Sequence, residues 1–213
     1  MLLERYTEQR ARWPSSGRHI LARYTERTVF VYQAYCPSIA ESAAREQKLG
    51  GGGFSFERMS WVKPNFLWMM YRCGWATKES QERVLSLEVT REAFDHWLSL
   101  AVHSSYVSEV YGDSSSWSAA SKRSTVRLQW DPDHGPHGEP QRRRAIQLGL
   151  RGPALRSLAE DALVSVEDVT EFVRAQHERV RAHELERLET PFERVYPVAD
   201  ALVAQRLGLD SAP

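Results

Sequence analysis

The chain has no excess of charge of either sign. Lys and Arg together number 28 and so do Asp and Glu, so no global field steers the protein onto nucleic acid or a membrane. Any recognition of anions has to be local. Cysteine is scarce: Cys36 and Cys73 lie in apolar surroundings without CxxC or Cys/His metal spacing. Buried reduced thiols are expected, and a disulfide framework or a zinc site is not. No window approaches the ~20 apolar residues of a membrane span, and the charged start at Glu4 and Arg5 lacks a signal-peptide run. A soluble, cytoplasmic protein with no membrane partner is expected. Internal repeats, the GxSxG of hydrolases and any established Ser/His/Asp order are absent. The four glycines at 50–53 lack the following Lys-Ser/Thr of a phosphate loop and read as a flexible connector. The stretch DPDHGPHGE, 131–139, has two His and three acidic residues, but nothing fixes a geometry for them. It reads as a solvated turn, and no metal is expected.

What is present suits one generous domain of 213 residues, 42% of them hydrophobic and 10% aromatic. An ordered core over about 18–207 is expected, with residues 1–15 and 208–213 peripheral. RHILARY and TVFVYQAY read as a hairpin, and Pro37 opens a helix over SIAESAAREQKL. ERMSWV reads as a short strand and KPNFLWMMYRC as a helix that Gly74 closes. ERVLSLEVT alternates as a strand does, and Thr90 can cap REAFDHWLSLAV. Residues 103–121 have no clear period and predict a long surface loop. STVRLQW and RAIQLGL predict a second hairpin, GPALRSLAEDA a short helix and LVSVED a strand. VTEFVRAQHERVRAHELERL predicts a long helix with one apolar stripe, followed by an extended PFERVYPV and a last helix. The fold class is α+β: a mixed, mostly antiparallel sheet flanked by helices.

RMSWVKPNFLWMMYRCGW, residues 58–75, packs three Trp, three Met and a Tyr around Arg58, Lys63 and Arg72. Phe66, Leu67, Trp68 and Met69 belong in a core. The charges need another account, because charges held near a core are paired or bind something. Arg58, Lys63, Arg72, Lys78 and Arg83 outnumber Glu57, Glu79 and Glu82 here, and the surplus suits phosphate or carboxylate. At the end of its strand Tyr32 shares a face with Ala34, and Gln33 shares the other with Tyr35. Each Tyr is either core or a platform for a flat ring. Gln81 and Glu82 beside the basic cluster are either a surface pair or a polar pair able to grip a ribose or exchange a proton. Arg142 to Arg144 form a basic tip, either a solvated face or a track for a phosphate backbone.

HILARY, TVFVYQAY, RMSWVKPNFLWMMYRCGWATKESQERVL, QWDPDH with RRAIQLGL, VSVEDVT and ERVYPV resemble the bacterial and fungal family catalogued as domain of unknown function 4291. That family is in turn remotely similar to the NAD-consuming ADP-ribosyltransferases, including those that modify nucleic acids. The resemblance implies a split, mixed sheet and NAD as co-substrate. By chemical type and order it implies His19 or Arg23 on the first strand and Tyr32 or Tyr35 near nicotinamide. Arg58 and Lys63 would hold pyrophosphate, with Arg72, Lys78 and Gln81 in the same binding set. Glu82 would stabilise the ribosyl cation, a role that suits a carboxylate beside developing positive charge. The chain has no Ser-Thr-Ser and no His-Gly-Thr. Two other readings stay open. One is a non-catalytic module for a nucleotide or single-stranded nucleic acid, with Trp61, Trp68 or Trp75 stacking on bases. The other is an interaction protein that works through its long C-terminal helix.

Overall fold

The computed structural model describes residues 1–210. In chain order its elements are β1 (Leu3–Arg5), α1 (Tyr6–Arg12), β2 (Gly17–Arg18), β3 (Leu21–Ala22), β4 (Thr28–Tyr35) and α2 (Pro37–Glu46). There follow β5 (Ser60–Val62), α3 (Phe66–Cys73), β6 (Arg83–Thr90), α4 (Arg91–Leu100), β7 (Val102–His103), α5 (Ser108–Tyr111) and α6 (Ser114–Arg123). The chain continues through β8 (Val126–His134), β9 (Pro140–Leu150), α7 (Pro153–Ala159), β10 (Leu163–Asp168) and α8 (Thr170–Arg181). A 3-10 turn (Leu185–Arg187), β11 (Glu189–Pro191), β12 (Arg194–Val195) and α9 (Ala201–Leu207) complete it. The architecture is α+β, and its strand pairs are antiparallel except β2 with β9 and β7 with β8.

The β-structure is split. One sheet has the order β10-β6-β4, the largest runs β2-β9-β8-β7 with β5 also on β9, and two small pairs join β1 to β11 and β3 to β12. Alternation along the strands explains how two cores form. Val29, Val31, Leu85, Leu87 and Val89 enter one core, where they meet Leu128, Ile146 and Leu148 of the largest sheet. Tyr32 and Val84, on the opposite face, enter a second core with Phe66, Met69 and Met70 of α3. Each such side chain contributes about 1.5–3 kcal/mol on full burial.

α3 is positioned at both ends. Asn65 accepts the Trp68 amide at 2.7 Å, and Gly74 takes the left-handed conformation that terminates the helix (φ 58°). Glu193, itself buried, accepts the Phe66 N–H at 2.7 Å and the Asn65 side-chain amide at 3.2 Å. The helix is not apolar all round, because Tyr71 and Arg72 face outward.

Several expectations are corrected. Residues 103–121 are not a long loop: they form β7, α5 and most of α6, whose first turn Asp113 caps by accepting the Ser116 amide at 2.8 Å. The N-terminal residues are not peripheral, since Tyr6 and Trp13 are buried in the second core and Gln9 hydrogen-bonds to Thr190. The glycine run is not a loose connector. Gly52 (φ 64°) lies so close to the first turn of α2 that a Cβ would stand 2.1 Å from the Ser38 carbonyl oxygen. The long C-terminal helix ends at Arg181, and His183 at φ 58° turns the chain so that Leu185 and Leu188 can reach the second core. RHILARY and TVFVYQAY turn back on each other through the Tyr24–Val29 bridge and the hydrogen bond from the Phe30 N–H to the Arg23 carbonyl at 2.9 Å, but β3 itself pairs with β12. Of the expected C-terminal periphery, Asp210 accepts the Arg18 amide, and 211–213 lie outside the described residues. No helix among the described residues is long and apolar enough to cross a membrane.

Candidate functional site

A cavity of about 620 Å³ opens where the two large sheets diverge. Its walls are the end of β4, the N-terminus of α2, the segment leading into β5, the outer side of α3, and the face of β8 and β9 turned away from the first core. One contact defines the split: Tyr32 N–H donates to the Lys63 carbonyl at 2.7 Å and Lys63 N–H donates to the Tyr32 carbonyl at 3.2 Å. This bridge holds the chain just after β5 against β4. Tyr32 packs in the second core, and its bridge partner Lys63 lines the cavity.

Lys63 is 4% exposed. Among the described residues its ammonium donates only to the Trp61 carbonyl, at 3.3 Å. Arg58 and Arg72 line the same cavity from more exposed positions. Among the described residues, none of the three has a carboxylate within ion-pair distance, whereas nearby Arg83 has both Glu41 (3.0 Å) and Asp168 (3.6 Å). Arg72 donates instead to the Gln81 side-chain carbonyl at 3.3 Å. Burial first, and the charge of Arg72 second, lower the Lys63 pKa to about 8, with Asp131 and Cys73 opposing the shift.

The remaining lining is polar and built in. The Tyr35 hydroxyl donates to the Gln33 amide oxygen at 2.7 Å, and the Gln33 amide donates to Ser60 Oγ (2.7 Å) and to the Trp61 carbonyl (3.2 Å). Burial raises the Tyr35 pKa well above its ordinary value, so the hydroxyl remains a donor. On the opposite wall Gln129 and Gln147 are direct cross-strand partners, and both donate to Asp131, each at 2.7 Å. Asp131 accepts hydrogen bonds only, so it fixes both amides nitrogen-first and leaves both amide oxygens as acceptors.

Cys36 sits at the N-cap of α2 and lines the cavity. It is half-buried, contrary to the expectation of a buried thiol, while Cys73 is fully buried. Hydrogen bonds from the Ser38 hydroxyl and the Ile39 amide lower the Cys36 pKa, opposed first by burial and then by the nearby Glu82 carboxylate. Glu82 follows Ser80 and Gln81, which both line the cavity, but is not part of the lining. Its Oε1 accepts the Ser80 amide at 2.8 Å, while the buried Oε2 has no partner among the described residues.

The structure therefore brings Tyr35, Arg58, Lys63, Arg72 and Gln81 together and places Glu82 beside them. It does not bring in the other four. Tyr32 is fully buried and packs edge-on against Phe66. His19 is buried beside Gly17, away from the cavity lining. Arg23 stacks its guanidinium over Phe30 at 3.7 Å. Lys78 donates to the Tyr71 and Arg72 carbonyls and so closes the end of α3. Trp68 and Trp75 are buried, which leaves Trp61 as the one tryptophan of that segment in the lining. Arg143, the middle of the basic tip, is buried against Asp133 with contacts of 2.5 and 2.8 Å. No group of three or more His, Cys, Asp or Glu suited to a metal occurs among the described residues.

Sequence reasoning missed Gln33, Gln129, Gln147, Ser60 and Cys36. The signal for three of them was present as alternation: Gln33 shares its face with Tyr35, and Gln129 and Gln147 are the polar members of strands whose other face is Leu128, Ile146 and Leu148.

A family model described as Domain of unknown function (DUF4291) matches residues 19–196, and the chain belongs to that family. The matched span contains the whole cavity lining. No curated protein matches the chain.

Proposed function

We propose that the cavity binds a phosphorylated ligand of nucleotide type, through Arg58, Arg72 and Lys63. One observation carries this reading. Three cations converge on a single concave site, one of them almost fully buried, and none has a carboxylate partner among the described residues. An uncompensated buried cation is costly, and a bound anion supplies the missing partner. The volume falls within the range of small-molecule sites. The acceptors on Gln129 and Gln147 suit the hydroxyls and ring edges that accompany phosphate in a nucleotide.

Within this class we take NAD as the co-substrate and ADP-ribosyl transfer, to a nucleotide or nucleic acid, as the reaction. The supporting feature is Glu82, whose second carboxylate oxygen is buried without a partner at the edge of the cation cluster. Cleavage of the C1′–N bond of the nicotinamide riboside leaves positive charge on the ribose, which a carboxylate there would stabilise. Tyr35 and Trp61 offer flat surfaces to orient the departing base. The test is incubation of the purified protein with NAD and oligonucleotides, reading free nicotinamide and a mass shift. Release of nicotinamide that Glu82→Gln abolishes with the fold intact is expected. Ligand binding without any nicotinamide would reduce the reading to a non-catalytic nucleotide-binding module.

A further inference from the structure

The chain contains 24 arginines and only four lysines, Lys48, Lys63, Lys78 and Lys122. Three of these lysines are exposed, and the fourth is the most buried cation of the cavity. Arginine would hold a phosphate at least as well, because its planar fork matches the anion and is more weakly hydrated. What lysine can do and arginine cannot is shed its proton and become a nucleophile.

We infer that the Lys63 side-chain amine is a covalent-bonding group, which forms an imine with the carbonyl carbon of an anionic aldehyde or ketone held by Arg58 and Arg72. The inference rests on the anion-binding reading of the cavity and adds a carbonyl to the ligand. In the step, the neutral amine adds to the carbonyl carbon and a C–N bond forms. Both amine protons pass to the carbonyl oxygen, which departs as water and leaves a C=N double bond. No oxidant, reductant or metal is required.

The geometry supports this in three ways. The Lys63 backbone is held by the two hydrogen bonds to Tyr32 and followed by Pro64 and the cap residue Asn65, so the amine is presented from a rigid base. Its one polar partner among the described residues is a backbone carbonyl, which accepts a hydrogen bond from a neutral amine as well as from an ammonium. The charged and titratable groups facing it are Arg72 and Cys73 from α3 and Asp131 from β8, with Arg58, Tyr35 and Cys36 also on the cavity. Desolvation and the cation of Arg72 outweigh Asp131, so the amine titrates at about pH 8 and a neutral fraction is present just above neutral pH.

The experiment uses pyridoxal 5′-phosphate as an anionic aldehyde probe and pyridoxal as the same aldehyde without phosphate. The full chain is incubated with each, imine absorbance is followed, the adduct is fixed with borohydride, and peptides are mapped. Binding of adenosine diphosphate, which has no carbonyl, is measured in parallel by calorimetry. The expected result is one adduct, on Lys63, forming at least tenfold faster than on Lys48, Lys78 or Lys122, with a rate that rises through about pH 8. Lys63→Arg, folded by circular dichroism, should lose the rapid adduct. Arg58→Ala should slow the phosphorylated probe and not pyridoxal, whereas Arg72→Ala, which also removes a charge that lowers the Lys63 pKa, should slow both probes and the phosphorylated one more. Labelling spread over the exposed lysines with Lys63 unmodified overturns the inference. If adenosine diphosphate still binds in that case, the anion-binding reading survives. Equal rates of Lys63 labelling by the two probes, without adenosine diphosphate binding, would instead keep the nucleophile and remove the anion site.

Discussion

Asp133 and Arg143 form the most buried ion pair among the described residues, with side-chain exposures of 2% and 9% and two contacts, at 2.5 and 2.8 Å, to one carboxylate oxygen. A further guanidinium N–H donates to the Pro14 carbonyl at 2.6 Å, and the other carboxylate oxygen accepts the His134 amide at 2.8 Å. The pair thus ties the turn end of the β8–β9 hairpin to the N-terminal segment. It also separates the arginines that pack the protein from those that remain for a ligand.

Removing one partner should be costly, because the survivor is then a buried charge with no counter-ion. Asp133→Ala is expected to lose about 3–5 kcal/mol of unfolding free energy. Arg143→Met in the same chain should recover part of that loss. Urea unfolding of the wild type, both single variants and the double variant measures the coupling, and additive losses would show that the pair is not a unit.

Glu193 sets a pH dependence. Burial pushes its carboxyl well above the ordinary carboxylate range, against the opposing Phe66 amide hydrogen bond and the charge of Arg143. The folded protein therefore keeps a proton that the unfolded chain has released, and the stability this group contributes is present below the ordinary carboxylate pKa of about 4.3. It falls as pH rises from there toward the raised folded value. Glu193→Gln should flatten this part of the curve. The check is the urea midpoint across pH 4–8 for both proteins, and parallel curves would remove Glu193 from the account.

Arg58 and Arg72 should be dispensable for folding and required for binding. Neither has an ion pair among the described residues, and both lie in exposed positions, so alanine at either should leave the melting temperature within a degree or two. Each charge-assisted hydrogen bond to a bound phosphate contributes about 1.5–3 kcal/mol, a loss of tenfold or more in affinity for adenosine diphosphate. Calorimetry at two salt concentrations measures this. Unchanged affinity in both variants would move the anion site elsewhere.

The two cysteines should differ in reactivity. Cys36 is half-buried, its pKa lowered by Ser38 and the Ile39 amide, while burial raises that of Cys73. Alkylation with iodoacetamide near pH 7.5 should mark Cys36 and spare Cys73 until the protein unfolds. A phosphorylated ligand in the cavity should slow Cys36 alkylation, since that thiol lines it. Peptide mapping reads both results, and equal rates at the two sites would contradict the assigned environments.

Local signals made most of the elements legible. β4, β6, β8 and β9 announce themselves by alternation, and Pro37, Gly74 and the capping Thr90 mark helix boundaries. α6 was hidden because Ser114, Ser115 and Ser116 look like a loop until Asp113 caps them. α8 looked too long because nothing local reports that Leu188 must turn inward.

The sequence by itself determined the α+β class, the membership of Phe66, Leu67, Trp68 and Met69 in a core, and the presence of a surplus of cations around residues 58–72. These follow from periodicity and composition, which act over a few residues. Only the tertiary structure decided which cations are surplus. Pairing is a long-range matter: Arg83 meets Glu41 and Asp168 across two other elements, and Asp131 reaches Gln147 across a hairpin. Arg58, Lys63 and Arg72 are left facing one cavity because the Tyr32–Lys63 bridge brings together strands far apart in the chain, a geometry that local propensity does not encode.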